Sequence, residues 1–348
     1  MDNTQPGATA TIEPPPPPGD DTSRMTTLQR IQHVLHTRAT LGPAIVLLLS
    51  VIIFSLVADN FLQASNISLI VQQVMVIGTL AIGQTIIILT AGIDLSVGAI
   101  MVLSMIVMAK LSADAGVPGV LALLIGFAVG LLCGLLNGLL VTRIKLPPFI
   151  VTLGTLNIFF ALNLFYSQSA TVRGRDMPDL LLWTGNVIEV FGARVTYGAI
   201  LMLLLFALMA FVLKWTMWGR HVYATGDDRE AARLSGIRTD RVLLSVYVVA
   251  GLIYAIGAWI LIGRISAASP QAGITYNLDT ITAVVIGGTS LFGGRGRILG
   301  TLFGALIVGV FRNGLQLAGI DELWQNFAVG VLVLVAVAID QWIRRARA

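Results

Sequence analysis

Charged residues are scarce in this sequence of 348 residues, of which only 11% are charged and 56% are hydrophobic. Soluble domains carry about 25% charged residues, so this chain has too little charge to cover a water-facing surface. The shortage excludes a soluble enzyme and predicts a protein embedded in a membrane. The net charge of +4 comes mainly from basic residues in loops beside apolar runs, and it does not indicate nucleic-acid binding.

Cysteine, histidine and lysine are also rare. The one cysteine, Cys133, excludes an internal disulfide or a cysteine metal cluster, and we expect it to be a small buried helix residue. The three histidines lie outside the apolar runs, no HExxH or GxSxG motif occurs, and no lysine follows a glycine as in a phosphate-binding loop. The sequence therefore predicts no catalytic residue, no metal site and no nucleotide hydrolysis by this chain.

Apolar runs of membrane-spanning length recur along the chain. A span needs about 20 apolar residues, since the hydrocarbon core is about 30 Å thick and a helix rises about 1.5 Å per residue. We predict an all-α, polytopic membrane protein with about ten transmembrane helices. The third and eighth runs are short and are expected to be broken or re-entrant, so the count is eight to ten. The runs are 42–58, 68–90, 97–111, 119–141, 149–167, 196–216, 242–262, 279–292, 298–317 and 325–342.

The basic residues predict the orientation. Most of the 22 lysines and arginines lie on the side of the membrane that holds both termini, which places the N- and C-termini in the cytoplasm. Residues 1–40 contain no apolar run that would form a signal peptide, and residues 14–18 are all proline. We therefore expect a disordered, proline-rich cytoplasmic tail over 1–40 and a transmembrane domain over 41–348.

Glycines recur at every fourth position in two places. Small residues at this spacing share one helix face and let two helix backbones approach closely. We expect these glycines to pack helices tightly inside the subunit, with a subunit interface as the alternative. The two sets are Gly126, Gly130, Gly134 and Gly138, and Gly296, Gly300 and Gly304.

Two short segments between apolar runs are candidates for irregular backbone at membrane depth. In residues 91–98, a charge at Asp94 needs partners or water. We expect Asp94 to cap a helix that begins at Leu95, or to contact substrate, together with Ser96, along a polar path. The second candidate is 287–294, which contains Thr289 and Ser290.

A charged loop over 217–241 is the longest predicted on the cytoplasmic side. Asp227 and Asp228 favour the start of a short helix, and Gly236 suits a left-handed residue at its end. Such a helix, lying across the cytoplasmic face, could dock in a groove on a partner. The alternative is an ordinary charged connection between two spans.

One segment in this loop resembles a known motif. Residues Glu230, Ala231 and Ala232, followed after three positions by Gly236, are similar to the EAA-x3-G coupling motif in the permease subunits of ABC importers. From about residue 40 to its end the chain resembles the monosaccharide permeases of ribose, xylose and fructose import systems. The other stretches that carry this resemblance are 91–98, Asn137-Gly138 with Pro147-Pro148-Phe149, and 287–294.

This resemblance implies the function and the partners. We expect a multi-pass permease in a bacterial inner membrane that forms a homodimer and moves a monosaccharide, with fructose favoured. It implies ATPase subunits on the cytoplasmic face, which bind ATP and Mg²⁺ that this chain does not bind, and a periplasmic sugar-binding protein on the other face. Glu230, Ala231, Ala232 and Gly236 would couple the permease to the ATPase. The translocation path or the irregular segments would involve Asp94, Ser96, Asn137, Thr289 and Ser290.

Two other classes of protein remain alternatives. A secondary transporter driven by protons or sodium places ionisable groups near the membrane midplane. Asp94 is the one acid that suits that role, and the loop over 217–241 would then have no purpose. A membrane-embedded enzyme is the third interpretation, and the sequence offers it no histidine, cysteine or paired-acid constellation.

Overall fold

The computed structural model describes residues 41–345, apart from residues 191 and 274. The predicted proline-rich tail, residues 1–40, lies outside the described residues. Ten of the described α-helices correspond one to one with the ten predicted spans, which confirms an all-α polytopic membrane protein. In chain order the described α-helices are α1 (Leu41–Val57), α2 (Ala64–Leu89), α3 (Val97–Ala113), α4 (Gly119–Thr142), α5 (Pro148–Ser167), α6 (Asp179–Leu182), α7 (Tyr197–Trp215), α8 (Met217–Asp227), α9 (Arg229–Leu234), α10 (Thr239–Ile265), α11 (Tyr276–Ile286), α12 (Ile298–Leu317) and α13 (Glu322–Arg345).

Helix length separates full spans from partial ones. Six helices (α2, α4, α5, α7, α10 and α12) are long and apolar enough to cross a membrane, among the residues described. Helix α11 has only 11 residues, about 17 Å of helix against a hydrocarbon core of about 30 Å. The predicted span 279–292 is therefore wrong at both ends. The helix stops at Ile286 because glycines at 287, 288, 293 and 294 favour irregular backbone over helix.

Helices α2 and α10 form the centre of the bundle. Both are largely buried, whereas only about a third of the residues in the apolar windows of α4, α5 and α7 are buried. Exposed leucines on those outer helices cause no penalty in a membrane, since lipid tails are as apolar as leucine. The largest fully buried side chains include Tyr247 and Tyr254, and both belong to α10. The centre of the molecule therefore contains polar groups that hydropathy does not reveal.

The first glycine set packs α4 against α10 and α3. A Cβ on Gly130 would overlap the carbonyl of Gly251, and one on Gly134 would overlap the carbonyl of Tyr247. Gly126 lies against the Met108 side chain, and Gly138 against Leu244 and Tyr247. All four glycines thus contact residues of the same subunit.

The second glycine set packs α12 against α11, with one exception. A Cβ on Gly300 would overlap the backbone of Gly287, and one on Gly304 would overlap the carbonyl of Ala283. Gly296 precedes α12 and has a φ of 153°, so it does not share the helix face expected from its spacing. Its Cβ would instead meet the side chain of Thr289.

Short strands lie in the connections between α5 and α7 and between α10 and α11, where no span was predicted. Strand β1 (Val172–Arg173) pairs antiparallel with β4 (Ala267–Ala268). Strands β2 (Val187–Val190) and β3 (Ala193–Thr196) form an antiparallel hairpin. These pairs are two to four residues long, so hydrophobic alternation is too brief to predict them.

Candidate functional site

The first irregular segment separates α2 from α3, and Asp94 organises it. Helix α3 begins at Val97, so the expected start at Leu95 is wrong and Asp94 is not its N-cap residue. The Asp94 Oδ1 atom accepts hydrogen bonds from the backbone N–H of Ser96 at 2.7 Å and from its hydroxyl at 2.5 Å. The carboxylate therefore closes a turn two residues ahead of the helix rather than capping it.

Further polar side chains surround this turn. The Asn137 amide donates to the Ser96 hydroxyl at 2.9 Å, and the Tyr254 hydroxyl lies within hydrogen-bonding reach of Asp94 and 3.3 Å from Gln84 Oε1. Asp94 is 1% exposed and the other four residues are fully buried. In this conformation Asp94, Ser96 and Asn137 thus form a closed cluster inside the helix bundle rather than the wall of an open path.

The second irregular segment, 287–297, follows the short helix α11. Thr289 and Ser290 are buried, and the Ser290 N–H donates to the carbonyl of Arg295 at 2.9 Å. Gly293 and Gly294 have φ values of 84° and 68°, which L side chains rarely adopt. The segment is thus a compact turn held by backbone hydrogen bonds.

The two irregular segments meet each other beneath helix α8. The Gly294 N–H donates to the carbonyl of Leu89 at 3.0 Å, at the end of α2. A Cβ on Gly226 of α8 would overlap that same Leu89 carbonyl and would also meet the Gly294 nitrogen. Likewise, a Cβ on Gly293 would meet the Gly226 carbonyl and the Ala91 backbone. The glycines allow three backbones to touch at one point.

A side chain of α8 strengthens this contact. The Tyr223 hydroxyl donates to the carbonyl of Gly296 at 2.9 Å. Burial raises the pKa of the Tyr223 hydroxyl, so it stays protonated and remains a donor at neutral pH. Helix α8 therefore rests on the end of α2, through the Gly226 backbone, and on the second irregular segment, through Gly226 and Tyr223.

Helix α9 is defined at both ends by its own residues. The Asp228 carboxylate accepts hydrogen bonds from the N–H groups of Glu230 and Ala231, both at 2.9 Å, which is an N-cap. Gly236 has a φ of 88°. Its N–H bonds to the Arg233 carbonyl, and the next N–H, of residue 237, bonds to the carbonyl of residue 232. These two bonds form a Schellman C-cap.

The outer face of α9 is open. Glu230 and Arg233 form an ion pair at 2.8 Å with both side chains about two-thirds exposed, and Leu234 is 80% exposed. Ala232 is buried, whereas Ala231 is exposed. Nothing in the described chain lies within 4 Å of a Cβ placed on Gly236, so only its left-handed backbone requires glycine.

Several residues of this site were not predicted. Gly226, Tyr223 and Leu234 belong to the predicted loop, but their contacts depend on residues distant in sequence. Gln84, Tyr247 and Tyr254 lie in apolar runs, where polar side chains are themselves a functional signal. Asp94 is also not the only buried acid, because Asp279 is buried and pairs with Arg312 at 2.7 Å. Within the part of the chain described, no group of three or more His, Cys, Asp or Glu could hold a metal ion.

Comparisons with known proteins agree on one family. Residues 66–337 match a family model described as Branched-chain amino acid transport system / permease component. The chain is 50% identical over 332 residues to the fructose import permease protein FrcC of Rhizobium meliloti, which covers 94% of this chain and 92% of that protein.

More distant relatives are also sugar permeases by name. The chain is 41% identical to the ribose import permease protein RbsC of Bacillus subtilis (strain 168), over 92% of this chain and 98% of that protein. It is 33% identical to the galactose/methyl galactoside import permease protein MglC of Escherichia coli (strain K12), over 85% of this chain and 91% of that protein. The family match includes both irregular segments together with α8 and α9.

Proposed function

The chain belongs to the Branched-chain amino acid transport system / permease component family, and from this premise we propose that it is the membrane-spanning permease of a binding-protein-dependent ABC importer. Its cargo is a monosaccharide, with fructose favoured and ribose or xylose as alternatives. The relative at 50% identity is named for fructose and the one at 41% for ribose. ATP and Mg²⁺ bind to partner ATPase subunits and not to this chain.

The observation that carries this proposal is the position of α8 and α9. Helix α9 presents Glu230 and Leu234 outward, in the place where a cytoplasmic partner would dock. Helix α8, one residue away along the chain, rests on the end of α2 and on the second irregular segment. A push on α9 would therefore reach the broken ends of α2 and α11 as a rigid-body shift. Glu230, Ala231 and Gly236 form the docking face in this proposal, and the buried Ala232 packs α9 against the rest of the chain.

The remaining partners follow the same proposal. The permease functions as a homodimer in a bacterial inner membrane, with α9 in the cytoplasm and a sugar-binding protein on the opposite face. The bias of basic residues toward the side of α9 supports this orientation. Sugar selection rests largely with the binding protein, since the permease needs only a transient polar route.

Uptake in a strain that lacks this gene tests the proposal and its cargo. Returning the gene to this strain should restore accumulation of labelled fructose. Unlabelled fructose should compete with the labelled sugar more strongly than ribose or xylose does. The binding protein and the ATPase remain at their native levels in this strain, so the permease is the only variable. A strain that accumulates fructose equally well without the gene would contradict the proposal, and stronger competition by ribose would change the cargo.

Substitutions at Asp94 separate its structural role from a role for its charge. We expect Asp94→Asn to retain most uptake, because an amide oxygen accepts the same two hydrogen bonds from Ser96, at a loss of about 1 kcal/mol. Asp94→Leu leaves buried groups unpaired, at about 1–3 kcal/mol each, and should lower both the thermal unfolding midpoint and uptake. If Asp94→Asn abolishes uptake at a normal protein level, the negative charge itself is required, which favours ion coupling.

A further inference from the structure

A second polar region lies at the opposite end of the helices from α8 and α9. Arg264 is in the last turn of α10, and α10 begins just after α9. Tyr276 begins α11, which ends at the second irregular segment, and Arg312 is near the far end of α12. The orientation inferred from basic residues places this region on the non-cytoplasmic side.

The region contains a cavity of about 490 Å³ between α2, α10, α11, α12 and α13. This volume is within the range of about 300–1,000 Å³ typical of small-molecule sites. Unlike the apolar surface around it, the cavity is lined mainly by polar side chains. Those used in the argument are Gln73, Arg264, Tyr276, Asp279, Arg312 and Gln316.

The polar groups of the cavity are positioned by one another. Arg312 donates from Nη2 and Nε to Asp279 Oδ1, at 2.7 and 3.2 Å, and the Asp279 side chain is only 3% exposed. Arg264 Nη1 donates to the Tyr276 hydroxyl at 3.2 Å. Because each guanidinium is held by a neighbour, the donors are fixed before any ligand arrives.

One buried atom in this cavity lacks a partner. Gln73 Oε1 has no hydrogen-bond partner among the described residues, and a buried unpaired acceptor is unfavourable by about 1–3 kcal/mol. A ligand that donates a hydrogen bond to Gln73 and accepts from arginine would pair both groups. A hydroxyl group does both. A fully ionised anion has no proton to donate, and the Asp279 carboxylate disfavours it.

We infer that this cavity is a low-affinity binding site for the monosaccharide itself, between its release from the binding protein and its passage inward. The inference rests on the proposed function and adds a site on this chain to it. Sugar hydroxyls donate to Gln73 and accept from Arg264 and Gln316. Affinity is low by necessity, because a transported solute must enter the site and then leave it.

The test uses the complete importer, with permease, ATPase subunits and binding protein reconstituted in lipid vesicles. Gln73→Leu removes the acceptor at similar volume, and Gln316→Leu removes an exposed lining group. Gln63→Leu is the matched control, since Gln63 is an exposed glutamine that does not line the cavity. Fructose uptake per ATP hydrolysed is the readout, together with saturation-transfer NMR of millimolar fructose on the permease–ATPase complex.

We expect Gln73→Leu to lower fructose uptake per ATP by about threefold to tenfold, the effect of one lost hydrogen bond, and to weaken the NMR signal. Gln316→Leu should act in the same direction, while Gln63→Leu should match the wild type. ATP hydrolysis stimulated by the binding protein should persist in all three. If both cavity variants match Gln63→Leu, the site is refuted while the importer function stands. Displacement of the fructose signal by equimolar phosphate would refute the sugar as ligand, and no uptake by the wild-type complex would refute the proposed function instead.

Discussion

Replacing Gly226 with valine is expected to reduce sugar uptake to background while the permease still inserts into the membrane. The new Cβ would overlap the carbonyl of Leu89 and meet the backbone nitrogen of Gly294. Both are backbone atoms, so no rotation of a flexible side chain relieves the overlap. Helix α8 must therefore lift away from the end of α2 and from the second irregular segment, and movement of α9 no longer reaches α2 and α11. Uptake of labelled fructose and ATP hydrolysis by the co-purified ATPase measure the effect.

The control for this variant is a glycine with open space around it. A Cβ on Gly42 of α1 meets nothing within 4 Å, so Gly42→Val should keep uptake near the wild-type level. The expected pattern for Gly226→Val is bound ATPase subunits, persistent ATP hydrolysis and no sugar movement. Normal uptake by Gly226→Val would show that α8 does not transmit movement to the irregular segments, and the coupling proposal would then fail.

The helices could be predicted because a membrane-spanning helix must be apolar, and hydropathy detects apolar segments. Helix α5, for example, spans Pro148–Ser167 where the sequence predicted 149–167, since a span must be apolar over about 20 residues. The same signal failed at 279–292, where the apolar run continues beyond the helix. Hydropathy reports only that a segment is apolar. It does not report that the glycines after Ile286 turn the backbone.

The site was only partly predictable, because its contacts join distant parts of the chain. The sequence indicated 91–98, 287–294 and the loop over 217–241 as separate features. Their meeting at Leu89, Gly226 and Gly294 depends on the packing of segments that lie 68 to 205 residues apart along the chain. Nothing local distinguishes Gly226 from other glycines. Helix α9 was easier to predict, because Asp228 and Gly236 define its two ends through hydrogen bonds to residues only a few positions away.

Asp279 illustrates a different limit. An acid at the edge of an apolar run is ordinarily a solvated loop residue, and the sequence offered no reason to treat it otherwise. Its partner Arg312 is 33 residues away on another helix, so the pair is visible only after folding. A buried carboxylate without such a partner would be strongly unfavourable, which explains why the two occur together.

The energy source produces the largest expected difference between the proposed importer and an ion-driven transporter. In vesicles that contain this chain alone, we expect no uphill sugar uptake under an imposed proton or sodium gradient. Uptake should appear only when the binding protein is outside, the ATPase subunits are attached and ATP is on the cytoplasmic face. Accumulation of labelled fructose over time measures both conditions in the same preparation.

The buried acids support this expectation. A proton-coupled site needs a carboxylate that gains and loses a proton during the cycle, but Asp279 is held by Arg312 at 2.7 Å. Asp94 is engaged in two hydrogen bonds from Ser96. Neither acid has a histidine in a neighbouring predicted span to relay a proton. Gradient-driven accumulation by the purified chain alone would contradict the importer proposal, and these two carboxylates would then be the first residues to test by neutralisation.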